Sequence, residues 1–348
     1  MKRTVLLTLI LGLAIPAAAR NKKVAPDVAQ SGNDSMDVIV QFRTSPTQKH
    51  YDKIGNRGGR VMHDLSVVNG LHASMTPAQV DALAADPEVT HISPDRPLHS
   101  TSKSNSNNTS IGSPTAVLDY HTDTVNAPVA WAQGLDGTGI GVAVIDSGII
   151  DTLPDFYTPN ARVVFSQNFT SKTINANDQY GHGIHVAGVI GGNGYKSTGP
   201  RYSYTFKGIA PNVNLIDLRV LDQNGVGTDS QVIAAIQMAI QLKSTYNIRV
   251  INLSLGRPVY ESYTLDPLCQ AVEAAYQAGI VVVVAAGNNG RDNSLGTNGY
   301  ATITAPANDP YVITVGAMKT LGTPSRADDQ ITTYSSKGTN ALRPCCQA

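Results

Sequence analysis

Between Met36 and Arg96 the apolar positions alternate in short runs. "MDVIVQF" sets Val38, Val40 and Phe42 on one side, as a half-buried strand would, and the more polar stretch 45–58 that follows suits a helix. "GRVMHDLSVVNGLHASM" predicts two strands with a turn at Asn69-Gly70. In "TPAQVDALAADP" Thr76 can cap a helix, Pro77 takes its first position and Gln79 closes a capping box, with Val80 and Leu83 on one face. "VTHISPDR" supplies a last strand. The order strand, helix, two strands, helix, strand over residues 36–98 predicts a small ferredoxin-like α+β unit.

The pattern then changes twice. Residues 99–111, "HSTSKSNSNNTSI", are Ser/Asn-rich with almost no apolar content and predict an exposed linker. From residue 112 to 348 apolar runs recur at Ile140–Ile145, Val213–Val220, Val250–Leu253, Ile280–Ala285 and Val312–Val315, bounded by Gly, Asn or Asp as buried parallel strands are. Between them "SQVIAAIQMAIQLK" puts Val232, Ile233, Ile236, Ala239 and Ile240 on one helical face. A second helix has Asp266-Pro267 at its start and Gly279 just beyond its end. Alternating strands and helices predict an α/β domain with a mostly parallel sheet flanked by helices, its sites beyond the carboxyl ends of the strands.

Residues 1–19 have a different character. Lys2-Arg3, an apolar run from Val5 to Ile15 and Ala17-Ala18-Ala19 form the layout of a secretory signal, too short for a membrane span, so export is expected and no membrane attachment after signal cleavage. The 348 residues carry 26 Lys+Arg and 26 Asp+Glu, which gives no general attraction to nucleic acid. The three cysteines are Cys269 inside a helical pattern and the adjacent Cys345 and Cys346, which is neither a disulfide framework nor a metal-ligand spacing.

Three segments sit where a parallel sheet builds sites. "VAVIDSGI" places Asp146 where a strand stops, "GHGIHVAGVIGG" puts His182 at the mouth of a helix, and "VVVVAAGNNG" ends a strand near Asn288. An Asp or Asn after a strand is ordinarily a turn residue or a cap, and a single His is ordinarily structural, so none of these decides anything alone. "GTGIG" at 137–141 precedes its strand, which argues against a dinucleotide site. His182 and His185, three apart, have no intervening Glu or third ligand for zinc.

Together with "NAPVAW", "RVINLSLG" and "YVITVGA", these segments resemble the subtilisin-like serine proteases in content and order. The likeness runs over essentially the whole chain: signal, inhibitory propeptide, peptidase domain. It implies a secreted endopeptidase precursor acting on proteins or peptides, with its own propeptide as intramolecular inhibitor and no cofactor required for catalysis. By this likeness Asp146 and His182 are triad members, Asn288 is an oxyanion donor, and Ser254, Leu255 and Gly256 pair with the substrate backbone. Asp155 matches a position that helps bind a structural calcium in relatives.

Two departures stand out. Ile184 occupies a position where the family usually has Thr. No GTSxA motif, which carries the family's nucleophile, occurs in the 60 residues after Asn288, and "GTNA" at 338–341 offers only Asn340 in its place. The resemblance stops after Gly338, so "TNALRPCCQA" reads as a truncation, and the chain as written is expected to be inactive. A non-catalytic exported relative that binds or inhibits is the alternative.

Overall fold

The computed structural model describes residues 21–29, 32–101, 121–170, 175–294 and 296–338. The predicted signal, nearly all of the predicted linker, the region 112–120 and the "TNALRPCCQA" tail lie outside them. No helix among the described residues is long and apolar enough to cross a membrane.

The N-terminal unit runs β1 (Met36–Phe42), α1 (Gln48–Gly55), β2 (Arg60–Leu65), β3 (Gly70–Met75), α2 (Pro77–Ala84) and β4 (Val89–Pro94). Its four strands form an antiparallel sheet in the order β2-β3-β1-β4, the split arrangement that the element order predicts. The Thr76–Gln79 capping box forms as read, with Thr76 Oγ1 accepting from Gln79 N and Gln79 Oε1 accepting from Thr76 N. One feature differs from the sequence reading: β1 is buried on both faces. Val38, Val40 and Phe42 pack with Ile54, Val80 and Leu83 beneath the unit's own helices, whereas Ile39 points the other way into the core of the larger domain.

That larger domain contains α3 (His121–Thr124), α4 (Ala127–Ala132), β6 (Gly141–Asp146), α5 (Pro154–Tyr157), β7 (Val163–Asn168), α6 (His182–Gly191), β8 (Asn214–Arg219), β9 (Val226–Thr228) and α7 (Asp229–Tyr246). It continues with β10 (Ile248–Leu253), β11 (Leu255–Gly256), α8 (Pro267–Gln277), β12 (Val281–Ala285), β13 (Ile313–Val315), β14 (Met318–Lys319) and β15 (Gln330–Ile331). Six strands make one parallel sheet in the order β13-β12-β10-β6-β8-β7. The strand order turns around beside β6, so the crevice at the carboxyl ends of β6 and its neighbours is where an open α/β sheet accommodates a ligand. Helix α7 buries Val232, Ile233, Ile236 and Ala239 against this sheet, and α8 starts on Asp266 and Pro267 as predicted.

The two units share one interface. The outer face of the N-terminal sheet lies on α7 and α8, with Ile39, Leu65, Val68 and Leu98 joining the larger domain's core. Polar contacts fix the register: Gln237 Oε1 accepts from Val67 N at 2.9 Å, and Asp95 accepts from Ser230 N and Oγ at 2.8 and 2.7 Å, in the first turn of α7. Glu261 joins His91 at 2.7 Å and Arg96 at 2.7 Å, all three buried. His91 and Arg96 of the N-terminal unit are out of water only because Glu261 of the larger domain pairs with both, so this face is built to be covered.

After Arg96 the chain does not enter an exposed linker at residue 99, which corrects the predicted boundary. Pro97–Ser100 form β5, an antiparallel strand between β11 and β9. The segment has no apolar periodicity because backbone hydrogen bonds from both sides hold it.

Candidate active site

The sheet sets out three groups at neighbouring carboxyl ends. Asp146 is the last residue of β6, Ser254 directly follows β10, and Asn288 lies three residues beyond β12. These strands are adjacent in the sheet, so residues more than a hundred positions apart meet at one edge.

Asp146 is fully buried. Its Oδ1 accepts from Ser147 N at 2.7 Å and lies 2.7 Å from Nδ1 of His182. A carboxylate can only accept, so the imidazole proton sits on Nδ1 and Nε2 keeps its lone pair. Burial alone would lower the His182 pKa, but the hydrogen bond and charge of Asp146, with a further contribution from the charge of Asp178, raise it above the ordinary value. Stability from this pair is therefore fully present below the unfolded pKa of about 6.5 and is lost as pH rises through the folded value. In D146N burial is opposed only by the smaller contribution of the Asp178 charge, so NMR titration should find the His182 pKa lower than in the unmodified chain.

His182 is held by its helix. It is the first residue of α6, and Asp178 caps that helix by accepting from Gly181 N at 2.7 Å and Ile184 N at 2.9 Å. Gly183 allows α6 to abut the turn after β6. A Cβ there would stand 2.4 Å from Gly148 O, and its N–H instead donates to Ser147 Oγ at 2.8 Å. Ile184 packs with the apolar cluster of Val142, Val144 and Ile149, so the departure from Thr leaves no unpaired polar atom at that position. His185 is exposed, and among the described residues no three His, Cys, Asp or Glu side chains converge on a metal position.

Gly256 borders a cleft of about 560 Å³ and Ser254 a second one of about 290 Å³, and Leu255 and Gly256 pair with an added strand, which is the chain's own β5. Leu255 faces Ser100 and Gly256 faces His99, while on the other side His99 faces Val226 and Leu98 faces Gly227. Ser254 O accepts from both Thr101 N and Thr101 Oγ1 at 3.1 Å. The Asn288 side-chain amide donates to the carbonyl oxygen of Thr101. Tyr180 links the two halves of the site, its hydroxyl 3.2 Å from Ser100 Oγ and its ring centroid 6.4 Å from that of His182. Asp155 lies apart on α5, where its carbonyl accepts from the Arg162 guanidinium and, at 3.3 Å, from Asn193 N.

The sequence reading missed β9, Asp178, Tyr180 and Thr101. Asp178 had little signal, because it lies three residues ahead of the N-cap Gly181 and reaches the helix start through the turn between them. The others had none, because their importance comes from pairing across long sequence separations.

A carboxylate-oriented histidine beside a strand-binding cleft with an amide at its end is the layout of an acyl-transfer hydrolase on an α/β scaffold. The family model for subtilases, peptidase S8, matches residues 137–348. Subtilisin E of Bacillus subtilis is 30% identical over 336 residues, which cover 95% of this chain and 77% of that protein. Serine protease AprX of the same organism is 36% identical over 230 residues, 64% of this chain and 48% of AprX. The crystal structure of fervidolysin from Fervidobacterium pennivorans shares the fold, with a TM-score of 0.64 at 21% identity over 90% of this chain and 47% of that one. The matched part is thus about half the length of AprX and of fervidolysin. The chain belongs to the subtilase family of serine proteases.

Proposed function

We propose that the protein is a secreted endopeptidase precursor of the subtilisin type, which hydrolyses peptide bonds in proteins. The observation that carries this reading is Thr101, whose carbonyl ends an added strand and receives the Asn288 amide as a substrate carbonyl would. When a nucleophile adds to that carbon, charge develops on the oxygen, and a fixed donor stabilises the charged state more than the neutral one. His182, held through Nδ1 by Asp146, takes the nucleophile's proton on Nε2 and passes it to the departing amine. Attack by water then returns the nucleophile, with hydroxyl on the acyl carbon and the C–N bond broken.

On this reading residues 36–98 are the inhibitory propeptide. The inhibitory strand extends to Thr101, and the bond it offers to the site is Thr101–Ser102. The signal-like residues 1–19 support export. A structural calcium at the Asp155 carboxylate stays part of the proposal, since the Arg162 guanidinium holds only the carbonyl of that residue.

The nucleophile is expected from a GTSxA segment, and none of the 348 residues forms one. A polypeptide of these residues alone is therefore expected to release no product from a fluorogenic peptide substrate, and release that disappears in H182A would contradict this. Translating the gene in every frame beyond the Gly338 codon tests the larger reading. A GTSxA motif followed by Pro-His supports the peptidase. If no frame contains one, the exported binding or inhibitory protein becomes the reading to pursue.

A further inference from the structure

Strand β8 carries one carboxyl that the chemistry above does not use. Its side chains alternate between faces: Ile216 and Leu218 join the core shared with α7 and α8, while Leu215 joins Val142, Val144, Ile149 and Ala187 in the apolar layer under α6. Asp217 falls on the Leu215 side, opposite Val144 of β6 and Ser166 of β7. It is fully buried in a layer that otherwise calls for Val, Ile or Leu.

These surroundings do not suit a charge. Asp217 Oδ2 accepts from Ser166 Oγ at 3.2 Å and Oδ1 has no partner among the described residues, while the Ile149 N–H faces the carboxyl. Arg219, two positions along the strand, is engaged elsewhere, with Nη1 donating to Asn177 O at 2.8 Å and Nε to Leu221 O at 3.1 Å. A carboxylate out of water with so few donors takes up a proton instead. Burial above all, with the charge of Asp178 adding to it, pushes the Asp217 pKa well above the ordinary carboxylate range, against the opposing pull of Ile149, Ser166 and Arg219.

Ile149 connects this acid to the active site. It ends the turn Ser147-Gly148-Ile149, in which Ser147 N donates to Asp146 Oδ1 at 2.7 Å and Ser147 Oγ accepts from Gly183 N, beside His182, at 2.8 Å. Gly148 has a φ of +113°, and a Cβ there would stand 2.0 Å from Ala176 O, so the turn is pressed between the 176–178 segment and the start of α6. Any shift at Ile149 reaches both members of the pair.

We propose, on the peptidase reading above, that Asp217 is a positioning residue for the Asp146–His182 pair. It is an uncharged acid in the layer under α6, whose carboxyl receives the Ile149 N–H and keeps the turn after Asp146 in register without placing a second negative charge beside it. Leucine would fill the same space but could accept nothing. An ionised carboxylate would accept well but would repel Asp146.

NMR of the full chain tests this without any need for turnover. The readouts are exchange of the Ile149 amide and the pKa of His182, and protection of the β10 amides reports that each variant is folded. D217N keeps an acceptor and no charge, so both readouts should match the unmodified chain. D217L keeps the bulk and loses the acceptor, so Ile149 exchange should quicken about ten-fold or more and the His182 pKa should fall as its bond to Asp146 loosens. If D217L changes neither readout, Asp217 does not position the pair. If D217N shifts His182 as far as D217L does, the residue acts through its charge, and the proposal fails as well. A His182 pKa at or below about 6.5 in the unmodified chain means that the pair itself does not form, and the peptidase reading fails with the proposal.

Discussion

Changing His182 to Ala in a chain that carries the family's serine segment is expected to lower turnover by about 10⁶, the order measured for this residue type within the family. The size follows from what the residue does here. A serine hydroxyl is a weak nucleophile until a base takes its proton, and Asp146 orients His182 and raises its basicity. No other group takes over, since Asp178 is committed to the α6 N–H groups and His185 is exposed. The matching change at Asn288 should cost less, about 10²–10³, again a figure measured in this family, because it removes one hydrogen bond to the oxyanion and leaves the base in place. Rates measured on one peptide under saturating conditions separate the two. H182A and N288A losses of equal size would mean that His182 is not the base.

Changing Arg257 to Met is expected to lower stability by about 3–5 kcal/mol. Arg257 is almost fully buried, with Nε 2.8 Å from Asp229 Oδ1 and Nη2 2.7 Å from Asp266 Oδ1. It follows the cleft strand β11, while Asp229 opens α7 and Asp266 caps α8. One guanidinium therefore ties the substrate-binding segment to the starts of two helices. Burial pushes the Asp229 carboxyl up to about 7 even with Arg257 beside it. Without the guanidinium, two carboxyl groups would be left facing each other out of water. R257M together with D229N and D266N removes both the charge and the loneliness of its partners, so the triple variant should recover much of the loss. Denaturant midpoints at neutral pH test this. A small shift in R257M would mean that water reaches the carboxylates and that the triad does not hold the cleft.

Much of this architecture was legible in the residues, and the reasons are physical. Strands β6 and β8 are buried on both faces and β10 and β12 bury one face fully, so the Val, Ile, Leu and Ala residues they need announce them in the sequence. Asp146 and His182 could be located because a strand end and a helix start each have a local signature. Edge strand β7, "VVFSQN", could not, since only part of it needs to be apolar. Nor could β5 and β9, because hydrogen bonds to a backbone leave almost no trace in side-chain type. For the same reason the linker boundary was placed too early. The double burial of β1 was missed because "MDVIVQF" looks the same whether Ile39 meets water or another domain.

The most direct measurement is N-terminal sequencing of the processed protein, expressed with its serine segment and compared with H182A. The account predicts a mature chain that begins at Ser102 and an H182A chain that is not cut at Thr101–Ser102. A mature chain beginning elsewhere, or cleavage after Thr101 that persists in H182A, would contradict it.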